Sequence, residues 1–97
     1  MIKHIVMWKL IESEDKEKNM IKMKSLIEDL VGKIHGIVKL EVATSPISSP
    51  EPLDMVLYSE FESFEDLNAY TVHPEHLKVV EFVKSVCAAR SVVDYKV

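Results

Sequence analysis

Residues 2–10 read Ile2-Lys3-His4-Ile5-Val6-Met7-Trp8-Lys9-Leu10, a run rich in β-branched and aromatic side chains that no glycine or proline interrupts. Such a run predicts a β-strand. Its even positions, Ile2, His4, Val6, Trp8 and Leu10, are largely apolar, and so are the inner odd positions Ile5 and Met7. Successive side chains of a strand point to opposite faces, so apolar residues at both parities require cover on both faces. That is the pattern of a central strand.

Outward from this strand, Ser13 is expected to cap a helix whose first turn carries Glu14 and Asp15 near the positive end of the dipole. Met20, Met23, Ile27, Leu30 and Val31 then recur at helical spacing. Gly32 is expected to close the helix in a left-handed conformation, and Gly36 to open the next element. From Ile37 to Ala43, Val38, Leu40 and Val42 fall on one face and Lys39 and Glu41 on the other, which predicts a half-exposed edge strand. Thr44 to Leu53 holds Pro46, Pro50 and Pro52, so it is expected to form a loop outside the core. Asp54 to Phe61 returns to strand chemistry, with Met55, Leu57 and Phe61 on one face and Val56 and Tyr58 on the other.

Ser63 and Asp66 approximate a capping box for a short helix ending near Tyr70. Pro74 suits the first turn of a further helix, expected to run to Ala89. Its apolar stripe would comprise Leu77, Val80, Val83, Val86 and Cys87, with Arg90 near the end that favours a cation. Ser91 to Val97 alternates Val93, Tyr95 and Val97 with Asp94 and Lys96, a last strand with one polar face. The order is β-α-β-β-α-β, the α+β, ferredoxin-like arrangement with a four-stranded antiparallel sheet. Helices cover one face of such a sheet, and a second sheet must cover the other. A homodimer joined through its sheet faces, a dimeric α/β barrel, supplies it.

Composition narrows the partners. Residues 1–97 suit one domain, and a chain this short buries only about 60–65% of its unfolded surface, so a second subunit would add useful apolar burial. Sixteen acidic residues against twelve basic give a net charge of -4 with no basic cluster, which argues against nucleic acid. One cysteine, Cys87, forms no intrachain disulfide and no cysteine-based zinc site, which fits a reducing cytoplasm. Charges interrupt the first apolar residues too early for a signal or transmembrane segment, so no membrane association is expected.

The chemistry concentrates in three side chains. His4 shares a strand face with Val6 and Trp8, where it is either a structural buried histidine or a polar group lining a pocket between helix and sheet. Tyr70 and His76 flank the break at Pro74, and a neutral imidazole beside a phenol can serve general acid-base chemistry near pH 7. Met20, Met23 and Ile27 from the first helix, with Val6 and Trp8, would give the pocket apolar walls for a small apolar or aromatic ligand. His73 and His76 have the spacing of two metal ligands but no third, so no metal is expected. His35 reads as a solvated turn residue, Cys87 as a small buried hydrophobe and residues 12–18 as a solvated helix start.

The opening Ile2 to Leu10, the middle Ser59-Glu60-Phe61-Glu62-Ser63, the His73-Pro74-Glu75-His76 box and the ending Val92-Val93-Asp94-Tyr95, in this order and spacing, resemble the stress-responsive A/B barrel (Dabb) family across nearly the whole chain. The resemblance implies a homodimeric α/β barrel in which two four-stranded sheets face one another. It covers plant stress proteins, bacterial proteins without an assigned activity and a plant polyketide cyclase. In that cyclase, His4, Tyr70 and His76 match a pocket histidine, a catalytic tyrosine and a catalytic base, whereas a further pocket histidine is replaced by Met55 here. Two functions follow as expectations: a stress-related or small-molecule-binding homodimer without catalysis, or an enzyme that uses no cofactor and transfers protons in a His/Tyr pocket.

Overall fold

The computed structural model describes all 97 residues. The elements are β1 (Ile2–Leu10), α1 (Lys16–Glu28) continued by a 3-10 turn (Asp29–Gly32), β2 (Ile37–Thr44), β3 (Met55–Phe61), α2 (Phe64–Val72), α3 (Pro74–Val86) and β4 (Cys87–Lys96). The sheet order is β2-β3-β1-β4, antiparallel throughout. This is the ferredoxin-like α+β arrangement, with β1 and β3 central and β2 and β4 at the edges.

Burial alternates strictly along both central strands. Even positions of β1 and odd positions of β3 face the helices, so Val6, Leu10, Met55, Leu57 and Phe61 join the core. A fully buried large apolar side chain contributes about 1.5–3 kcal/mol relative to exposure, which makes this face the main source of cohesion. Ser59 is the polar exception on β3, and its hydroxyl donates to the His4 carbonyl at 2.9 Å.

Several local expectations require correction. Helix α1 begins at Lys16, because Ser13 instead caps a turn: its Oγ accepts from the Asp15 N–H at 3.2 Å. The helix tightens into the 3-10 turn, so Val31 stays exposed, and the left-handed residue is Gly36 at φ 100° rather than Gly32. A Cβ on Gly36 would also lie 3.3 Å from Asp66 Cγ. A register shift between Ile37 and Lys39 turns Val38 outward, and Ile37 takes its place beside Leu40 and Val42 against the core. At the other end of the chain, α3 stops at Val86 and β4 begins at Cys87. Residues 87–90 therefore pair with β1, which puts Arg90 opposite Trp8 on a strand rather than at a helix end. Leu77, expected on the α3 stripe, is half exposed, and Val79 is buried in its stead.

The segment between β2 and β3 lies outside the core, as its prolines require, and Ile47 there is fully exposed. Asp54 anchors its far end. Its Oδ2 accepts from the Leu10 N–H at 2.8 Å and its Oδ1 pairs with Lys16 at 3.1 Å, tying the start of α1 to the end of β1. The second face of the sheet carries Ile5, Met7, Val56, Tyr58, Val93 and Tyr95, and no element of this chain covers it. No helix is long and apolar enough to cross a membrane.

Candidate functional site

A cavity of about 400 Å³ lies between the helices and the β1–β4 half of the sheet. Small-molecule sites commonly occupy roughly 300–1,000 Å³. Valines 79, 80 and 83 of α3 face Val6, Trp8 and Val92 of the sheet across it, and Ile27 and Leu30 add apolar wall from the first helical segment.

His4, Tyr70 and His76 all line this space. Strand register places His4 opposite Asp94, and His4 Nδ1 meets Asp94 Oδ1 at 2.5 Å. A carboxylate accepts, so Nδ1 is the protonated nitrogen. The imidazole stands edge-on to Phe61 and Tyr70, with centroids 6.4 and 6.2 Å away.

Tyr70 sits in the last turns of α2 and is 1% exposed. Burial pushes its hydroxyl up to about 12, so it remains a protonated donor across the neutral range. Its ring lies 4.3 Å from that of His76.

His76 is placed by the tight junction between α2 and α3. Its Nδ1 donates to the Thr71 carbonyl at 3.0 Å, one of the carbonyls that the end of α2 leaves without a helical partner. Nε2 is then the lone-pair nitrogen. Burial lowers the His76 pKa most, the Thr71 carbonyl opposes it, and the charges of His4, Arg90 and His73 lower it further. The imidazole is therefore chiefly neutral near pH 7, the state a general base requires.

Of the expected wall residues, Val6, Trp8 and Ile27 line the cavity, whereas Met20 and Met23 do not. Both methionines are buried in the core, and the Cys87 thiol lies 3.7 Å from the Met23 sulfur. The apolar stripe of α1 is longer than the cavity, and only its C-terminal end reaches it. Cys87 opens β4 half-buried, its thiol pushed up to about 11 by burial and by Asp54. His73 is the N-cap of α3, its Nδ1 accepting from the Glu75 N–H at 3.0 Å, and His35 is exposed.

Sequence reasoning missed Lys84, Arg90 and Asp94, all of which line the cavity. The recoverable signal was strand register: once β4 is extended back to Cys87, Arg90, Val92 and Asp94 fall opposite Trp8, Val6 and His4. Trp8 adds a further polar feature, since its buried Nε1 donor has no hydrogen-bond partner in the chain.

Fold and site together describe a ferredoxin-like α+β subunit with a helix–sheet cavity and one uncovered sheet face. The chain belongs to the stress responsive A/B barrel domain (Dabb) family, whose model matches residues 2–97. It is 37% identical over 98 residues to a stress-response A/B barrel domain-containing protein of Arabidopsis thaliana, an alignment covering 97% of this chain and 36% of that protein. It is 28% identical over 95 residues to a second stress-response A/B barrel domain-containing protein of the same plant, covering 88% of this chain and 41% of that protein. The chain thus spans well under half the length of both curated relatives. Among solved structures, a dimeric protein of unknown function with a ferredoxin-like fold from Bacteroides fragilis matches with a TM-score of 0.88 and 35% identity, over 99% of this chain and 95% of the other.

Proposed function

We propose that this chain is a single-domain subunit of a homodimer, joined through its open sheet faces, that binds a small apolar or aromatic molecule in the cavity of each subunit. The observation that carries the binding reading is the convergence of His4, Tyr70 and His76 on one apolar-walled cavity of about 400 Å³. A purely structural core would fill that volume. The homodimer is supported by the uncovered apolar face and by the dimeric Bacteroides fragilis protein at 35% identity. A reducing, cytoplasmic setting and a role in stress are part of the same reading, supported by the lone half-buried Cys87 and the stress-response relatives.

The test uses Trp8, the single tryptophan of the chain, which lines the cavity. Titration with a panel of small aromatic and branched apolar compounds is expected to change its fluorescence saturably for at least one. Val83→Phe fills the cavity and is expected to abolish that change while the protein stays folded. A response that persists in the variant, or none across the panel, would reject the reading.

A second reading, proton transfer without a cofactor, is favoured by the His76 geometry. Nδ1 is committed to Thr71, Nε2 is left as a base, and the protonated Tyr70 hydroxyl and the Asp94-oriented His4 serve as donor and orienting group. General acid-base assistance is typically worth about 10²- to 10⁴-fold. An enolisable aryl ketone held in the cavity should exchange its α-hydrogen with solvent deuterium, and His76→Ala should slow exchange by at least about 10²-fold. Equal rates would eliminate His76 as the base.

A further inference from the structure

The charged groups at this cavity are unevenly divided, with two cations, Lys84 and Arg90, against one carboxylate, Asp94. Lys84 comes from the last turn of α3 and Arg90 from β4, so the two cations approach from the helical layer and the sheet layer. Both are exposed, which places them at the opening, and neither belongs to any ion pair of the chain. The one carboxylate of the lining, Asp94, already accepts from His4. Deeper in, Trp8 Nε1 is a buried donor without a partner, and the Tyr70 hydroxyl stays protonated. Guanidinium, ammonium and indole N–H groups donate and cannot accept. In a chain with four more acidic than basic residues, two unpaired cations beside one apolar cavity run against the overall charge.

Resting on the cavity-binding reading above, we propose that Arg90 and Lys84 form an anion subsite at the cavity mouth, and that the ligand is a small organic carboxylate whose apolar body enters the cavity. Arginine presents a planar fork that matches a carboxylate in a bidentate fashion, and lysine adds a mobile point charge. An anion seated between them is neutralised from both layers. The apolar body then meets Val6, Val83 and Val92. Arg90 and His76 line the same cavity, so a carboxylate at Arg90 would leave the body of the ligand in the space that the imidazole borders.

Calorimetric titration with para-tert-butylbenzoate and the uncharged para-tert-butylbenzamide tests this at low and at physiological salt. The acid is expected to bind roughly ten- to a hundredfold more tightly than the amide, the span of a charge-assisted hydrogen bond. The preference should shrink with added salt. Arg90→Met and Lys84→Met should each remove most of it, weakening the acid far more than the amide, with the thermal melt as in the wild type. Equal binding of acid and amide would overturn the anion subsite and leave the cavity reading standing. An acid preference that survives in the Arg90→Met/Lys84→Met double variant would overturn it too, since the charge would then be held elsewhere. Failure of both compounds to bind would reject the cavity reading and this proposal together.

Discussion

The two faces of β1 are built from alternate residues of the same nine, yet they behave as different surfaces. The even set, Ile2, His4, Val6, Trp8 and Leu10, is buried under the helices, and the odd set, Lys3, Ile5, Met7 and Lys9, is only half covered. On the covered face, apolar residues are interrupted by groups with matched partners, such as His4 with Asp94 and Ser59 with the His4 carbonyl. On the open face, apolar Ile5, Met7 and Val93 sit beside a polar island in which Lys3 bonds the Tyr58 hydroxyl at 2.5 Å and Glu60 at 3.1 Å. Hydrogen bonds to Tyr58 and Glu60 hold the Lys3 ammonium above its ordinary range, and hydrogen bonds from Tyr58 and Lys3 hold Glu60 below its own. These groups are only half-buried in the single chain, so solvent screens the pairs. The contrast separates what one chain needs in order to fold from what it presents to another molecule.

The largest effect on the folding of the chain should come from the covered face. Phe61 is completely buried between β3 and the helices, with its ring 5.1 Å from Tyr70. Phe61→Ala removes that volume and leaves a cavity next to the site, at a cost of about 3–5 kcal/mol. Denaturant unfolding should show this loss with little dependence on protein concentration. A loss below about 1 kcal/mol would mean that the covered face is not the main source of cohesion.

An open-face substitution should act differently. Met7→Asp places a carboxylate on a half-exposed position, so a separated chain should lose only about 0.5 kcal/mol. In a dimer joined through this face the same charge is buried without a partner, which costs several kcal/mol. Sedimentation at micromolar concentration should therefore change from twice the chain mass to the chain mass, while circular dichroism stays close to native. Ile5→Asp should do the same. A Met7→Asp protein that remains dimeric with an unchanged melting temperature would locate the interface elsewhere, and a wild-type protein that sediments as a folded monomer would remove the dimer altogether.

This division was legible in the sequence because strand alternation has a period of two and runs unbroken through Ile2–Leu10 and Met55–Phe61. The same simplicity failed at element ends. Cys87-Ala88-Ala89-Arg90 contains good helix formers and directly follows a helix, but pairing with the end of β1 overrides that local preference and makes the segment strand. The misplaced boundary hid Arg90 and the register that delivers Asp94 to His4. Val38 failed for a related reason, since one irregular residue in β2 reverses which side chains face the core. His4 could be named as a candidate because a polar group on an apolar strand face stands out, and Tyr70 and His76 because a phenol and an imidazole flank the break at Pro74, with the family resemblance pointing to all three. Met20 and Met23 could not be separated from Ile27, because periodicity identifies a buried stripe and not the part of it that borders a cavity.

The smallest expected effect sharpens the contrast by giving the covered face a pH dependence of its own. His76 has an ordinary pKa near 6.5, and in the folded chain burial lowers it. Above the ordinary value the imidazole is neutral in both folded and unfolded chains, and the contribution of this group to stability is fully present. As pH falls below about 6.5 the unfolded chain takes up the proton first, so stability declines until the folded pKa has been passed. His76→Gln keeps a side-chain amide able to reach the Thr71 carbonyl but removes the titration. Denaturant midpoints measured from about pH 7.5 down to pH 5 should fall more steeply for the wild type than for His76→Gln. The difference should be modest, because His76 is only partly buried and solvent screens it. Met7→Asp, on the opposite face, should leave the His76-dependent part of that slope intact once protein concentration is matched. Parallel slopes for wild type and His76→Gln would show that the imidazole stays well solvated at the cavity, and the case for His76 as a neutral base would then lose its electrostatic support.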